Sequence, residues 1–247
     1  MLIHRTVFMA HISMVPFERM TSSAILTSIE PFAHASAFEI DVLSSSATRS
    51  RKRAGKTILQ SGHDSDGLYV VLRGRVNLIR ENGSNRDLIL ASLGPGEVFG
   101  ESCVLEDRNL SSTASAAIAT ELLRIPASAL QAHIQRDPQT LLQLLKLMGE
   151  KLKNMESIAS GLALFDVEER LRQTLARLAR RQGRPDDSQD GWILAPVPTQ
   201  TELARMVGSC RETVSRTLSS MAKSGKLSAS GRRMVLSESV MSAAAGI

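Results

Sequence analysis

The chain has 247 residues, which is long enough for one or two domains that bury cores of their own. Its 43% apolar and 22% charged residues are typical of a soluble globular protein, and its 3% aromatic residues disfavour a binder of single-stranded nucleic acid, which stacks bases on aromatic side chains. The net charge of +5 permits a polyanionic partner, and most of the surplus lies in residues 165–247, which hold 13 Lys and Arg against nine Asp and Glu.

Cysteine and histidine usage argues against a metal site, and motif content argues against an enzyme. Cys103 and Cys210 are far apart in the sequence, so neither a disulfide framework nor a four-cysteine zinc or iron–sulfur site is expected. The histidines form no HExxH pattern, and the chain has neither a GxSxG nor a P-loop motif. We expect Cys103 to lie in a core; oxidant sensing by Cys210 is a less favoured alternative to a structural role.

The start of the chain and its apolar runs bear on localisation. No apolar run approaches the roughly 18 residues that a membrane-spanning helix needs, so we expect a cytoplasmic protein that does not bind a membrane. Residues 1–30 are mildly apolar, are interrupted by charged residues and a proline, and are followed by no small-residue cleavage site. We predict a loose N-terminal extension over residues 1–30, with Met1, Met14 and Met20 as alternative starts.

Short strands separated by turns dominate residues 54–126. Runs rich in Val, Leu and Ile cover residues 68–80, 87–93 and 112–125, and the segments between them contain the turn sequences ENGSN and GPGE. Strands at this spacing with no helix between them are typical of an antiparallel barrel or sandwich. We place this β domain at residues 31–136.

A long helix is predicted next, over residues 138–164. Asp137 supplies an N-cap, and Pro138 fits the first helical position. Apolar residues then recur with the alternating spacing of four and three that defines a heptad repeat. These seam residues are Leu141, Leu145, Met148, Leu152, Met155, Ala159 and Leu162.

A second apolar stripe gives this helix two apolar faces. Leu144, Leu147 and Ile158 lie off the seam, so one stripe can pack on the β domain while the other meets a second copy of the chain. We therefore predict a dimerisation helix and its hinge over residues 137–165. A helix buried within its own domain is the alternative.

The stretch TQTELARMVGSCRETVSRTL, residues 199–218, fits a helix-turn-helix. Thr199 and Glu202 form a capping box at the start of the first helix. Ala204 supplies the small side chain needed where two helices cross, and Gly208 supplies the positive φ needed in the turn.

Neighbouring segments extend this motif into a winged domain. A helix is predicted over residues 167–182, after a hinge near Phe165-Asp166. The stretch GKLSASGRRMVL, residues 225–236, fits a two-stranded wing with a Ser-Gly turn and a basic pair. We place the whole winged helix-turn-helix at residues 166–247.

The second helix of the motif exposes charged side chains near its N-terminus, the part that enters the major groove in such motifs. We predict that Ser209 and Glu212 cap this helix. Arg211 and Arg216 can each donate two hydrogen bonds to guanine O6 and N7, and Glu212 can accept from cytosine N4; a merely solvated helix face is the alternative. The other predicted DNA contacts, mainly to phosphates, are Thr199, Gln200, Thr213, Lys223, Lys226 and Arg232.

Residues 54–236 resemble the Crp/Fnr family of bacterial transcription regulators. The resemblance implies an α+β fold: an N-terminal antiparallel β-roll similar to a cyclic-nucleotide-binding domain, a long dimerisation helix and a C-terminal winged helix-turn-helix. It also implies a homodimer that reads double-stranded DNA with palindromic TGTGA-like half-sites and acts with RNA polymerase as an activator or a repressor. The matching stretches are DGLYVVLRGRVNLI (66–79), LGPGEVFGES (93–102), LALFDVEERL (162–171) and VGSCRETVSR (207–216).

The resemblance also implies a ligand pocket in the β-roll. In the family's nucleotide-binding members, the turn equivalent to Phe99-Gly100-Glu101 holds the ribose and phosphate, with the Glu accepting from the ribose 2′-hydroxyl. The family then has an Arg-Ser or Arg-Thr pair whose arginine binds the cyclic phosphate. This chain has Ser111-Ser112 at that place, so the arginine is missing.

Three further residues bear on the effector. Arg108 lies three residues before Ser111, where the family has its arginine, and is a candidate replacement for it. Met155 and Glu156 occupy the helix positions that touch the base in the family. Because a lost charge-assisted phosphate contact costs about 2 kcal/mol, cyclic AMP is not expected to be a tight ligand. Cyclic di-GMP is the first candidate; an unrelated effector, or no effector and a purely structural turn, is the alternative.

Two other classes of protein fit the sequence less well than a DNA-binding regulator. A cyclic-nucleotide-responsive regulatory module that does not bind DNA would need neither the helix-turn-helix nor the basic wing. An enzyme would need a catalytic motif that the sequence does not contain.

Overall fold

The computed structural model of the chain describes residues 16–83, 87–105, 109–186 and 191–242. The chain divides into two compact units. One comprises Met1–Ile79 with Ala91–Lys151, and the other comprises Arg80–Leu90 with Leu152–Ile247. Within the described ranges, no helix combines the length and apolarity that crossing a membrane requires.

The N-terminal unit opens with helices that pack into its core. The expected loose extension over residues 1–30 is therefore wrong for residues 16–30, and residues 1–15 lie outside the described ranges. Ile25, Leu26 and Phe32 are fully buried, because the apolar side chains of these short helices find a core beneath them. The helical segments before the first strand are a 3-10 turn at Phe17–Arg19, α1 at Ser22–Ser28, a second 3-10 turn at Glu30–Phe32 and α2 at Ala37–Ser46.

Two four-stranded antiparallel sheets form the β-roll, as the spacing of strands and turns predicts. The first sheet has the order β1-β8-β3-β6 and the second the order β2-β7-β4-β5. Their strands are β1 (Thr48–Lys52), β2 (Thr57–Leu59), β3 (Gly67–Arg73), β4 (Val76–Arg80), β5 (Leu88–Leu93), β6 (Val98–Phe99), β7 (Thr113–Ala116) and β8 (Thr120–Pro126).

The β3–β4 turn requires glycine. Gly74 has a φ of +92°, and a Cβ atom there would lie 2.4 Å from the backbone oxygen of Ala119. The core of the roll includes Cys103, which is fully buried as expected. The predicted Asn-Gly turn over residues 81–85 lies partly outside the described residues.

A helix that the sequence patterns do not predict follows β8: α3 (Ala127–Arg136) carries a buried histidine. His133 is 0% exposed, and its Nε2 lies 2.8 Å from Oγ1 of Thr140. Because the Thr140 hydroxyl donates to Oδ2 of Asp137, it must accept from His133 Nε2–H. The other ring nitrogen, Nδ1, has no hydrogen-bond partner and would gain an unsatisfied proton on ionisation.

This environment makes the stability of the N-terminal unit pH-dependent. Burial lowers the pKa of His133 from 6.5, against the opposing charges of Asp137 and Glu39. The unfolded chain therefore binds the proton first, so the free energy of unfolding falls as pH drops below about 6.5. Thermal unfolding between pH 7.5 and 5.5 is expected to show a smaller pH slope for His133→Gln than for the wild type. The exposed control His63→Gln should keep the wild-type slope; equal slopes in all three proteins would contradict the assignment.

The long helix α4 (Pro138–Leu164) has the bounds that the sequence predicts. Leu144 is buried against the core of the N-terminal unit and Leu147 packs beside it, as expected for the off-seam stripe, whereas its third member, Ile158, belongs to the other unit. The boundary between the two compact units falls within this helix, between Lys151 and Leu152.

The C-terminal unit has a winged helix-turn-helix architecture. Its helices pack on a sheet of order β11-β12-β10-β9 around a core that includes Leu171, Val214 and Leu236. Asp166 caps α5 by accepting from the backbone N–H of Glu169 at 2.8 Å. The elements are α5 (Val167–Gln182), β9 (Arg184–Pro185), β10 (Gly191–Leu194), α6 (Gln200–Val207), α7 (Arg211–Lys223), β11 (Leu227–Ser230), β12 (Arg233–Ser237) and α8 (Glu238–Ser242).

Candidate nucleic-acid interface and ligand pocket

The turn between α6 and α7 has the geometry that the sequence predicts. Thr199 and Glu202 form a complete capping box, in which the backbone N–H of Glu202 donates to Thr199 Oγ1 at 3.2 Å. Gly208 ends α6 with a φ of +61°, and a Cβ atom there would lie 2.7 Å from Leu162 Cδ2. Ala204 is buried where the helices pack. The turn therefore holds α7 in a defined direction.

The cap of α7 differs from the prediction that Ser209 and Glu212 would form it. The N-cap residue is Cys210, whose side chain makes no capping hydrogen bond to the backbone. Its thiol instead lies 3.1 Å from Oγ1 of Thr213. Hydrogen bonding from Thr213 lowers the pKa of the exposed Cys210 thiol, against the opposing charge of Glu212. The helix therefore starts one residue later than the predicted cap at Ser209 implies.

Three charged side chains predicted to read bases all lie exposed on the first two turns of α7. They are Arg211, Glu212 and Arg216. A hydrogen bond from its own backbone N–H, together with Cys210 and the charges of the two arginines, lowers the pKa of Glu212. The carboxylate stays ionised near neutral pH, so this end of the helix presents two guanidinium groups and one acceptor to a partner.

The basic residues predicted to contact phosphates lie at the C-terminal end of α7, just before β11 and in the wing turn, and they differ in exposure. Lys223 is exposed at the last turn of α7, and Arg232 is exposed in the wing turn. Lys226, by contrast, forms an ion pair with Glu168 at 2.6 Å. Its charge is therefore already engaged within the unit, and a phosphate would have to compete with that carboxylate.

The remaining predicted DNA contacts have local partners. Thr199 is exposed, but its hydroxyl donates to Glu202 at 3.0 Å within the capping box. Gln200 is half-buried at the first position of α6, and Thr213 is half-buried beside Cys210.

The turn predicted to hold a ligand follows β6. Gly100 has a φ of +84°, and a Cβ atom there would lie 2.5 Å from the backbone oxygen of Gly67, so only glycine fits. The Ser65 hydroxyl lies 3.0 Å from the carbonyl oxygen of Gly100 and holds the turn from below. Phe99 is buried and stacks on Tyr69 with ring centroids 5.1 Å apart, so its side chain serves the core.

An ion pair with α4 engages the carboxylate of this turn, a contact that sequence reasoning missed. Oε1 of Glu101 lies 2.6 Å from Nζ of Lys151, which is also 3.5 Å from the backbone oxygen of Val98. The side chains of Glu101 and Lys151 are only 19% and 28% exposed, so water screens the pair less than an open surface pair. No sequence signal joins the two residues.

The other predicted effector residues are divided between the two compact units, and one lies outside the described residues. Ser111 is exposed and Ser112 is half-buried before β7, while Arg108 lies outside the described residues. Met155 is half-buried and Glu156 exposed on α4. Among the described residues, no group of three or more His, Cys, Asp or Glu side chains is arranged to hold a metal ion.

The predicted seam of α4 is largely exposed in the single chain. Leu152 is 62% exposed, and Leu145, Leu162 and Leu141 are also exposed. Met148 is half-buried and Ala159 is exposed. A run of exposed apolar side chains along one helix face is typical of a surface that a partner covers.

Comparison with known proteins gives matches over both units. Family models match as a cyclic nucleotide-binding domain over residues 49–137 and a Crp-like helix-turn-helix domain over residues 169–239. The chain is 33% identical over 189 residues to the Cyclic AMP receptor protein of Thermus thermophilus, covering 76% of this chain and 82% of that protein. It is 30% identical over 187 residues to the cAMP-activated global transcriptional regulator CRP of Haemophilus influenzae, covering 74% and 81%.

A solved structure agrees with these matches. The c-di-GMP responsive global regulator CLP of Xanthomonas campestris superposes with a TM-score of 0.68 at 28% identity, over 82% of this chain and 99% of that one. The Haemophilus protein is named as a transcriptional regulator, and the Xanthomonas protein as a global regulator linked to gene expression.

Proposed function

The chain belongs to the Crp/Fnr family of transcription regulators and is a DNA-binding regulator; on that premise we propose that it works as a homodimer that reads a TGTGA-like palindrome under the control of a nucleotide effector. The observation that carries the proposal is the exposed group Arg211, Glu212 and Arg216 at the start of α7. RNA polymerase is the expected protein partner, by resemblance to the family.

Base reading is assigned to that helix end. In a helix-turn-helix, the N-terminal part of the second helix enters the major groove, where arginine pairs with guanine and glutamate accepts from cytosine N4. The capping box of α6 and the positive φ of Gly208 fix the direction of α7, so these side chains project as one group. Lys223 in the last turn of α7 and Arg232 in the wing turn are assigned to the phosphates, which position the protein without reading sequence.

A homodimer would place two such helices on one face of the duplex. A palindrome presents its half-sites about 34 Å apart, one helical turn, and only a two-fold dimer presents two identical reading helices at that distance. The exposed apolar seam of α4, with Leu152 at 62% exposure, supplies a surface for this pairing.

The effector assignment rests on the turn at Gly100 and Glu101. The positive φ of Gly100 and its packing against Gly67 fix the shape of the turn, and the Glu101 carboxylate can accept from a sugar hydroxyl if that hydroxyl displaces Lys151. No arginine occupies position 111, so the cyclic phosphate would lack its usual counter-charge. Relatives named as cAMP-activated and as c-di-GMP responsive support a nucleotide class. We expect cyclic di-GMP to act at lower concentration than cyclic AMP.

Fluorescence anisotropy tests the proposal with a palindromic TGTGA duplex and a scrambled duplex of the same composition. At one fixed salt concentration, each would be titrated alone and with cyclic AMP, cyclic GMP or cyclic di-GMP. The palindrome is expected to bind about a thousandfold more tightly than the scrambled duplex in the active state.

The pattern of results shows whether a nucleotide regulates DNA binding and in which direction. Binding that appears with only one nucleotide names that nucleotide as an activating effector, and binding that one nucleotide abolishes names an inhibiting effector. Specific binding that no nucleotide alters would remove the effector from the proposal. No preference for the palindrome under any condition would overturn the assignment of the α7 side chains.

A further inference from the structure

Lys151 lies where the two faces of α4 meet. The helix face toward the chain's own β-roll carries Leu144, which is buried, and Leu147, which packs beside it. A second face carries the exposed Leu145 and Leu152. Lys151 lies one heptad after Leu144, on the side toward the β-roll and next to Leu152 of the seam, and in the single chain its ammonium group binds Glu101 at 2.6 Å.

The heptad register assigns Lys151 a position beside a dimer seam. With Leu145 and Leu152 as a positions and Met148 as a d position, Lys151 is a g position. In a parallel pair of helices, a g residue faces the e residue that lies five positions later in the partner helix. For Lys151 that residue is Glu156 of the partner subunit.

This pair is the one charged g–e pair that the described seam offers. The preceding pair joins Leu144 to Gly149 and the following pair joins Ile158 to Ala163, which are all uncharged. Glu156 is exposed in the single chain, and none of the described residues forms an ion pair with it. In an antiparallel pair, g faces g and e faces e, so the lysine and the glutamate would not meet.

We propose that Lys151 is shared, in the homodimer, between Glu101 of its own chain and the partner's Glu156. An ammonium group has three donors and can bind both carboxylates. Two such groups, related by the two-fold axis, would fix the parallel register of the α4 helices and connect the turn after β6 to the seam. A ligand hydroxyl that binds Glu101 would release Lys151 toward the partner's Glu156 and strengthen the dimer.

Charge exchange tests the pairing across the seam. The proposal rests on the proposed homodimer, so the readout is the dimer dissociation constant, measured by sedimentation equilibrium without DNA or nucleotide. E156K places two lysines face to face at both symmetric sites and is expected to weaken the dimer about tenfold. K151E should weaken it by a similar factor, and K151E/E156K should return it to within about threefold of the wild type.

A double-mutant cycle tests the sharing with Glu101. E101Q frees Lys151 for the seam, so it is expected to tighten the dimer about threefold, whereas a purely structural role for Glu101 would loosen it. In the E156Q background, E101Q should have no effect on the dimer. K146Q is the matched control, because Lys146 lies on the same helix and forms an exposed ion pair with Glu30 at 3.8 Å.

The outcomes separate the two proposals. A wild type that stays monomeric at all concentrations would overturn the homodimer and the shared lysine together. A dimer that K151E/E156K fails to restore, or that E101Q loosens, would overturn the shared lysine and leave the homodimer standing. Recovery by the double exchange with tightening by E101Q supports the proposal.

Discussion

Leu152→Glu is expected to convert the homodimer into monomers, with a rise of about a thousandfold in the dimer dissociation constant. The seam would have to bury two unpaired carboxylates, and an uncompensated buried charge costs about 4 kcal/mol. In the single chain Leu152 is 62% exposed, so the substitution leaves the cores of both units intact. Sedimentation equilibrium should show the dissociation, while the thermal unfolding of the monomer changes little.

Leu164→Glu provides the matched control for this substitution. Leu164 lies on the same helix and is 75% exposed, but its f position in the heptad register faces away from the seam. Its variant should dimerise as the wild type does. Anisotropy should show that Leu152→Glu also loses tight binding to a full palindrome, because each monomer reaches only one half-site. A dimer that persists in Leu152→Glu would show that another surface holds the two chains together.

Arg216→Ala is expected to cost about 1–3 kcal/mol of specific DNA binding per half-site and to relax the preference at one base position. Arg216 is exposed on the second turn of α7, and its guanidinium group lies 3.5 Å from Oγ1 of Thr213. The side chain is therefore available to a guanine edge. Competition anisotropy with duplexes altered at one base pair at a time would locate the relaxed position.

Lys223→Ala is the comparison that separates base reading from charge. Lys223 is exposed at the other end of α7. Its loss should weaken binding to the palindromic and the scrambled duplex by similar factors and lower the salt dependence of binding by about one unit of slope. For Arg216→Ala the loss should fall mainly on the palindrome. An equal loss on both duplexes would place Arg216 among the phosphate contacts.

Local signals predicted a large part of this fold. The Asp137-Pro138 start and the heptad spacing predicted α4 over 138–164, and the structure has the helix at Pro138–Leu164. The Thr199 capping box and the positive φ of Gly208 were also predicted correctly. Such features depend on residues within one or two helical turns of each other, so they can be predicted from residues that are close in the sequence.

Capping residues in the sequence also mark two short helices, α1 and α2, that the apolar periodicity does not predict. Ser36 and Glu39 form a complete capping box at the start of α2, which marks a helix in the segment that was expected to begin a β domain. Thr21 caps α1 by accepting from the backbone N–H of Ala24, within the stretch expected to be loose. Both helices are short, so the periodicity of their apolar residues carried too little information to reveal them.

Contacts between residues that are distant in the sequence could not be predicted. Glu101 and Lys151 are 50 residues apart and Lys226 and Glu168 are 58 residues apart, and no spacing rule links either pair. Caps, turns and heptads follow from the conformational preferences of nearby residues, and the residue types in the chain supply them directly. Which carboxylate forms an ion pair with a given lysine depends on how the sheets and helices pack against each other. Only the tertiary structure determines that packing.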